Sequence, residues 1–216
     1  MQLIDLSHPL GADTKPYPGS RPSQIRQTAA LEKNGYREKM LGLSSHLGTH
    51  VDAPAHMLSD GKTLDRFSLQ QFYGRALVLD AGRHNPGEIP LSVLQDLPAE
   101  HNVDFILLYT GWCEKWGGAG YFSEFPSLSA ELAADLSKMN IKGVGLDGPS
   151  VDAPESKDYK AHHLLLAAEI LIIENLRNLD ILKNKIFTLA VFPLSVQDAD
   201  GSPVRAVAIL EQEKHG

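Results

Sequence analysis

Five short apolar runs constrain this chain more than any other feature. They are Leu77-Val78-Leu79-Asp80, Phe105-Ile106-Leu107-Leu108-Tyr109, Val144-Gly145-Leu146-Asp147, Ile170-Leu171-Ile172-Ile173 and Ile186-Phe187-Thr188-Leu189-Ala190-Val191. Each is nearly continuously apolar and bounded by Gly, Pro, Asp or Asn. A strand with one wet face alternates polar and apolar residues, whereas an unbroken run has both faces covered. The runs therefore predict buried strands with further layers on both sides. Residues 3–6 and 204–210 supply further candidate strands. Leu128, Leu132, Leu136 and Met139 recur at helical spacing and predict an amphipathic helix over 129–139, with Ser127 or Ser129 as its cap. Pro90 opens a short helix at 91–96. Strands alternate with helices but outnumber them. The expectation is one α/β domain over residues 1–216, built on a mixed sheet with flanking helices.

Composition narrows the partners. The length of 216 residues suits one sizeable core. The net charge of −7 gives no electrostatic reason to expect nucleic acid or an anionic membrane. No apolar run approaches the roughly 20 residues that span a bilayer, and Met1–Pro9 lacks a basic region followed by an apolar stretch. Cys113 is the lone cysteine, so an internal disulfide is excluded and a reducing compartment fits. A cytoplasmic protein acting on a small molecule is expected.

Residues 12–38 and 111–126 lack periodicity and read as long loops, a class often functional. The second carries Trp112, Trp116, Tyr121, Phe122 and Phe125 among four glycines; these rings either wall a pocket or pack on the core. The tetrapeptide Val-Asp-Ala-Pro occurs at 51–54 and 151–154 in unmatched surroundings, and the repetition reads as coincidence.

The densest chemistry lies in His46-Leu47-Gly48-Thr49-His50-Val51-Asp52-Ala53-Pro54-Ala55-His56. Gly48, Thr49, Val51 and Pro54 argue against a helix. In an extended chain His46, His50 and Asp52 share a face. Four residues of ideal strand span about 13 Å, nearly too far for two imidazoles on one ion. A bend at Gly48 would close that gap, since glycine adopts such conformations without steric cost. Three histidines and an aspartate around that glycine point to a metal site. A second segment holds His162 and, at the end of the most apolar run, Glu174. Glu174 is either a solvated strand end or a paired or metal-bound carboxylate. On one helix the two would stand about 18 Å apart. A short helix at 161–168 followed by a returning strand would bring them together.

These residues resemble the H-x-G-T-H-x-D-x-P-x-H signature of the cyclase family of metal-dependent hydrolases, which includes bacterial kynurenine formamidases, isatin hydrolases and related lactone and amide hydrolases. Asp5–Leu10, Gly145–Asp152 and Ser156–Asp158 with His162 and Glu174 resemble further family blocks in the same order. The resemblance implies the family's swivelling β/β/α-like fold and a homodimer or larger assembly. It implies two ions: one held by His46, His50 and Asp52, the other by Asp52, His162 and Glu174. It implies His56 as proton donor and acceptor, and an aromatic residue before Pro-Gly in the substrate pocket. Here that residue is Tyr17 where the formamidase branch typically has Trp, and Ser20 replaces a frequent acidic residue.

The chemistry implied is hydrolysis of an arylformamide-type amide, as in N-formylkynurenine, by a metal-activated water, with His56 protonating the leaving amine. Cyclic amide or lactone hydrolysis is the alternative within the family. A non-catalytic metal-binding protein is the alternative outside it, and such a protein would not need His56. Imidazole and carboxylate ligands suit zinc, manganese and iron. Zinc is the first expectation for the formamidase branch and manganese for the isatin hydrolase branch. Cys113 lacks an activating cation beside it, and no G-x-S-x-G occurs. His8, His84, His101 and His215 read as ordinary surface or core residues.

Overall fold

The computed structural model describes residues 1–82, 87–98 and 102–211. His84, His101 and His215 lie outside the described residues. The strands are β1 (Gln2–Asp5), β2 (Gln24–Ala29), β3 (Glu38–Gly42), β4 (His50–Asp52), β5 (Tyr73–Asp80), β6 (Glu88–Ile89), β7 (Phe105–Tyr109), β8 (Ser127–Leu128), β9 (Gly143–Leu146), β10 (Leu171–Glu174), β11 (Ile186–Ala190), β12 (Gly201–Pro203) and β13 (Val207–Leu210). The α-helices are α1 (Leu31–Asn34), α2 (Ala130–Leu136) and α3 (Lys160–Ala167). Among the described residues, nine strands form one sheet in the order β1-β13-β11-β5-β7-β9-β10-β4-β12. The four central strands β5, β7, β9 and β10 run parallel, and antiparallel strands extend the sheet on both sides. The mixed sheet expected from an excess of strands is present.

Period-two geometry explains why the apolar runs are unbroken. Phe105, Leu107 and Tyr109 enter one apolar cluster, while Ile106 and Leu108 enter another across the sheet. Ile173 and Ile172 divide in the same way. Helices α2 and α3 cover the second face through Leu132, Leu136, Leu165 and Leu166. Trimming a fully buried leucine such as Leu107 to alanine is expected to cost about 2–5 kcal/mol.

Helix α2 is shorter than the predicted 129–139. Ser129, rather than Ser127, caps it by accepting from the Leu132 amide at 3.1 Å. Leu91–Asp96 forms a 3-10 helix in which Pro90 is the N-cap residue. Residues 12–38 are not wholly irregular: β2, α1 and the start of β3 lie there. The antiparallel β2–β3 pair is exposed along most of its length, so no apolar period marks it.

Candidate metal centre

Strand β4 is only three residues long and entirely buried between β10 and β12. Its register sets Asp52 opposite Ile172 and Gly201, and His50 opposite Glu174 and Pro203. His46 is not in the strand as the extended reading expects. It stands in a turn that precedes Gly48, whose φ of +66° makes the anticipated bend. A side chain at Gly48 would also press on Leu10, since a Cβ would lie 2.4 Å from Leu10 Cδ2. Helix α3 presents His162 and β10 returns with Glu174, the helix-then-strand path that the sequence suggests.

Four groups converge. His50 Nε2 lies 3.3 Å from Asp52 Oδ1 and 3.4 Å from Glu174 Oε2. His162 Nε2 lies 3.5 Å from Glu174 Oε1 and 3.8 Å from Asp52 Oδ2. Ligands about 2.1 Å from a common tetrahedral ion stand about 3.4 Å from one another. The spacing thus suits cation ligands, and each histidine faces one oxygen of each carboxylate. Asp52 Oδ2 is buried with no hydrogen-bond partner. A buried carboxylate oxygen left in that state is costly, and a cation supplies what it lacks.

The opposite ring nitrogens are pinned. His50 Nδ1–H donates to the Gly48 carbonyl at 2.8 Å, and His162 Nδ1–H donates to Asp152 at 2.6 Å. Both Nε2 atoms therefore face the carboxylates, the arrangement of metal-ligating histidines with an orienting acceptor behind them. His46 differs. Its Nδ1 lies at hydrogen-bond distance from Asp52 Oδ1, 2.6 Å, and its Nε2 lies 2.8 Å from Asp200 Oδ2.

The electrostatics follow the geometry. Burial alone would lower the His46 and His162 pKa values. The Asp52 charge and hydrogen bonds to Asp200 and Asp52 outweigh it at His46, raising it to about 9. Asp152 and Glu174 raise His162 to about 10. Asp52 is held well below the usual carboxylate range, the charges of His50 and His46 outweighing the upward pull of burial. His56 moves the other way: burial brings it below the ordinary histidine value, despite the attraction of Asp52. It ends the 3-10 turn Pro54–His56, with its ring centroid 3.9 Å from that of His46 and its Nδ1 3.5 Å from Asp200 Oδ2.

These groups open into a cavity of about 220 Å³ that Tyr17, Trp116, Phe122 and Tyr159 also line. Tyr17 meets Phe122 edge-on at 5.5 Å. The aromatic loop does both things that its composition allows. Trp112, Tyr121 and Phe125 are buried in a cluster of their own, while Trp116 and Phe122 pack against it and reach the cavity. His8 stacks on Trp116 at 4.2 Å, one layer behind the wall. Cys113 stays a thiol, since burial and the nearby Asp147 charge push it up to about 12.

Three further residues at the site are not singled out individually by the sequence. Asp152 is the second copy's counterpart of Asp52 in the repeated tetrapeptide, yet it reaches the site from a loop. Asn175 donates through Nδ2 to the Gly48 carbonyl at 2.9 Å and accepts from the Tyr121 hydroxyl at 2.7 Å, tying the aromatic loop to the His50 turn. Asp200 sits in a polar turn far from every histidine in sequence. Adjacency to Glu174 is the available pointer to Asn175; Asp200 has none.

Comparison with known proteins follows the same lines. The family model described as Putative cyclase matches residues 4–153. The chain is similar to a kynurenine formamidase of Bacillus mycoides (strain KBAB4), at 38% identity over 208 residues, covering 95% of this chain and 96% of that one. A kynurenine formamidase of Bacillus anthracis is 36% identical over 206 residues, covering 94% of this chain and 95% of that one. Among solved structures, isatin hydrolase A from Labrenzia aggregata bound to benzyl benzoate has a TM-score of 0.85 at 24% identity, covering 97% of this chain and 94% of that one. An isatin hydrolase bound to the product analogue thioisatinate has a TM-score of 0.84 at 22% identity, covering 98% and 93%. The structural likeness shows a shared fold.

Proposed function

The chain belongs to the Putative cyclase family, and from that premise we propose that it is a metal-dependent hydrolase of arylformamide-type amides. One observation carries the reading: the pinned histidines His50 and His162 aim Nε2 at Asp52 and Glu174, and Asp52 Oδ2 is buried without a protein partner. Two ions fit this pattern best, because each carboxylate offers a different oxygen to each histidine. His46, His50, Asp52 and Glu174 would hold one; His162, Asp52 and Glu174 would hold the other. Zinc is the first candidate and manganese the second. A bound divalent ion lowers the pKa of a water toward neutrality and polarises the scissile carbonyl.

The chain's own groups do the rest. Tyr17, Trp116 and Phe122 line the cavity beside the carboxylates and would pack against an aromatic ring bound there. Water oxygen joins the formyl carbon, the C–N bond breaks, and His56 delivers a proton to the departing amine nitrogen. Its lowered pKa leaves His56 largely neutral at pH 7, able to take a proton from water and pass it on. The relatives' names supply the arylformamide class; the pocket's aromatic lining agrees with it. A small-molecule substrate, a homodimeric or larger assembly and a cytoplasmic setting belong to the same proposal. Among the described residues no helix is long and apolar enough to cross a membrane.

The test is hydrolysis by chelator-stripped protein reloaded with Zn²⁺ or Mn²⁺, against formanilide, N-formylkynurenine, isatin and a small lactone. Metal-dependent cleavage of the formamides supports the proposal. Cleavage of isatin or lactone alone moves the substrate to the cyclic class. Metal binding without turnover of any of them leaves a binding protein.

A further inference from the structure

The turn between β11 and β12 brings a carboxylate to the site that neither histidine segment contains. Asp200 is half-exposed, but its Oδ2 is 2.8 Å from His46 Nε2 and 3.5 Å from His56 Nδ1. Its backbone is fixed to the metal-facing strand's end, because its carbonyl accepts from the Ala53 amide at 2.9 Å. The next residue, Gly201, pairs with Asp52, and a Cβ there would lie 2.4 Å from His46 Cε1. The absence of a side chain at 201 is what lets the His46 ring lie beside this turn. His50 and His162 each have an acceptor of their own, Gly48 and Asp152. Asp200 alone among these acceptors faces two imidazoles.

We propose that Asp200 is a positioning residue serving both histidines at once: it turns His46 Nδ1 toward Asp52 and holds His56 by Nδ1, leaving His56 Nε2 for the substrate. The assignment rests on the hydrolase reading above. It makes one carboxylate responsible both for presentation of a metal-site imidazole and for aim of the proton donor. A residue with only a structural role would not alter how the rate depends on the leaving group.

The experiment compares wild type, Asp200→Ala and Asp200→Glu in two readouts. The first is Zn²⁺ affinity by competition with a chromogenic chelator. The second, at saturating Zn²⁺, is kcat/KM on formanilide relative to p-nitrophenyl formate, whose leaving group needs no proton. Asp200→Ala should lose about 10–100-fold in Zn²⁺ affinity, the usual effect of removing an orienting partner. It should also lose about tenfold or more in the formanilide-to-ester ratio, a fraction of what a general acid contributes. Asp200→Glu should recover part of both. If Asp200→Ala does not fold, Asp200→Asn carries the same expectations. A changed affinity with a wild-type ratio overturns the assignment to His56, and a changed ratio with wild-type affinity overturns the assignment to His46. If wild type takes up Zn²⁺ and cleaves formanilide while the Asp200 variants match it, the Asp200 proposal alone fails. A wild type that takes up no Zn²⁺ defeats the hydrolase reading and this proposal with it.

Discussion

The floor of the pocket is carried by strands β4 and β10 and helix α3, whereas its wall is carried by the loops that hold Tyr17, Trp116 and Phe122. On the floor, position is over-determined. His50 and Asp52 are fixed by register on two sides, and each metal-facing imidazole is held through its second nitrogen. On the wall, position depends on ring contacts, such as Tyr17 edge-on to Phe122, and on a few loop hydrogen bonds. The difference suggests that reaction chemistry is built into the sheet while substrate choice is left to loops that can vary without disturbing it.

That division breaks if a floor variant spares activity or a wall variant strips the metal. The largest effect is expected for Asp52→Ala. It removes a carboxylate that both proposed ion positions would share and should abolish metal uptake, with activity falling to background in a reloading assay. His56→Ala should lower formanilide turnover by about 10²–10⁴-fold, the usual contribution of a general acid–base group. Metal content measured by elemental analysis should stay near wild type. Loss of metal in that variant would move His56 onto the ligand set. Tyr17→Ala should raise KM about tenfold for aromatic formamides, about 1.4 kcal/mol of ring contact, with metal content unchanged. The smallest consequence concerns Cys113. Its thiolate should form only as pH approaches about 12, because its raised pKa favours the neutral thiol at every lower pH. Iodoacetamide labelling of the native protein should therefore be slow at pH 8 and accelerate steadily with pH. Rapid labelling at pH 8 would show that the 111–126 loop opens freely.

Legibility in the sequence divides along a similar line. The central strands can be read because both faces are covered, which makes Phe105–Tyr109 apolar at every position. The β2–β3 pair cannot, because exposed strands such as Gln24–Ala29 carry no apolar alternation. His46, His50, Asp52 and His56 are conspicuous by crowding within eleven residues. Pairing them with His162 and Glu174 needs a chain reversal that spacing permits without requiring. Asp152 orients His162 from ten residues away, and Asn175 and Asp200 hold a turn or an imidazole through contacts between distant segments. A lone Asp or Asn in a loop is too common to announce that role.

The central claim is that Asp52 and Glu174 share divalent cations with His50 and His162. Anomalous scattering from crystals soaked in Mn²⁺ tests it most directly, since the peak locates the ion without reference to activity. The account predicts a peak bridged by Asp52 and Glu174 and bonded to His50 Nε2 or His162 Nε2, with a second peak on the other histidine when both positions fill. A saturating soak that leaves the space between the two carboxylates empty, or that places the ion only beside His56 and Asp200, would contradict it.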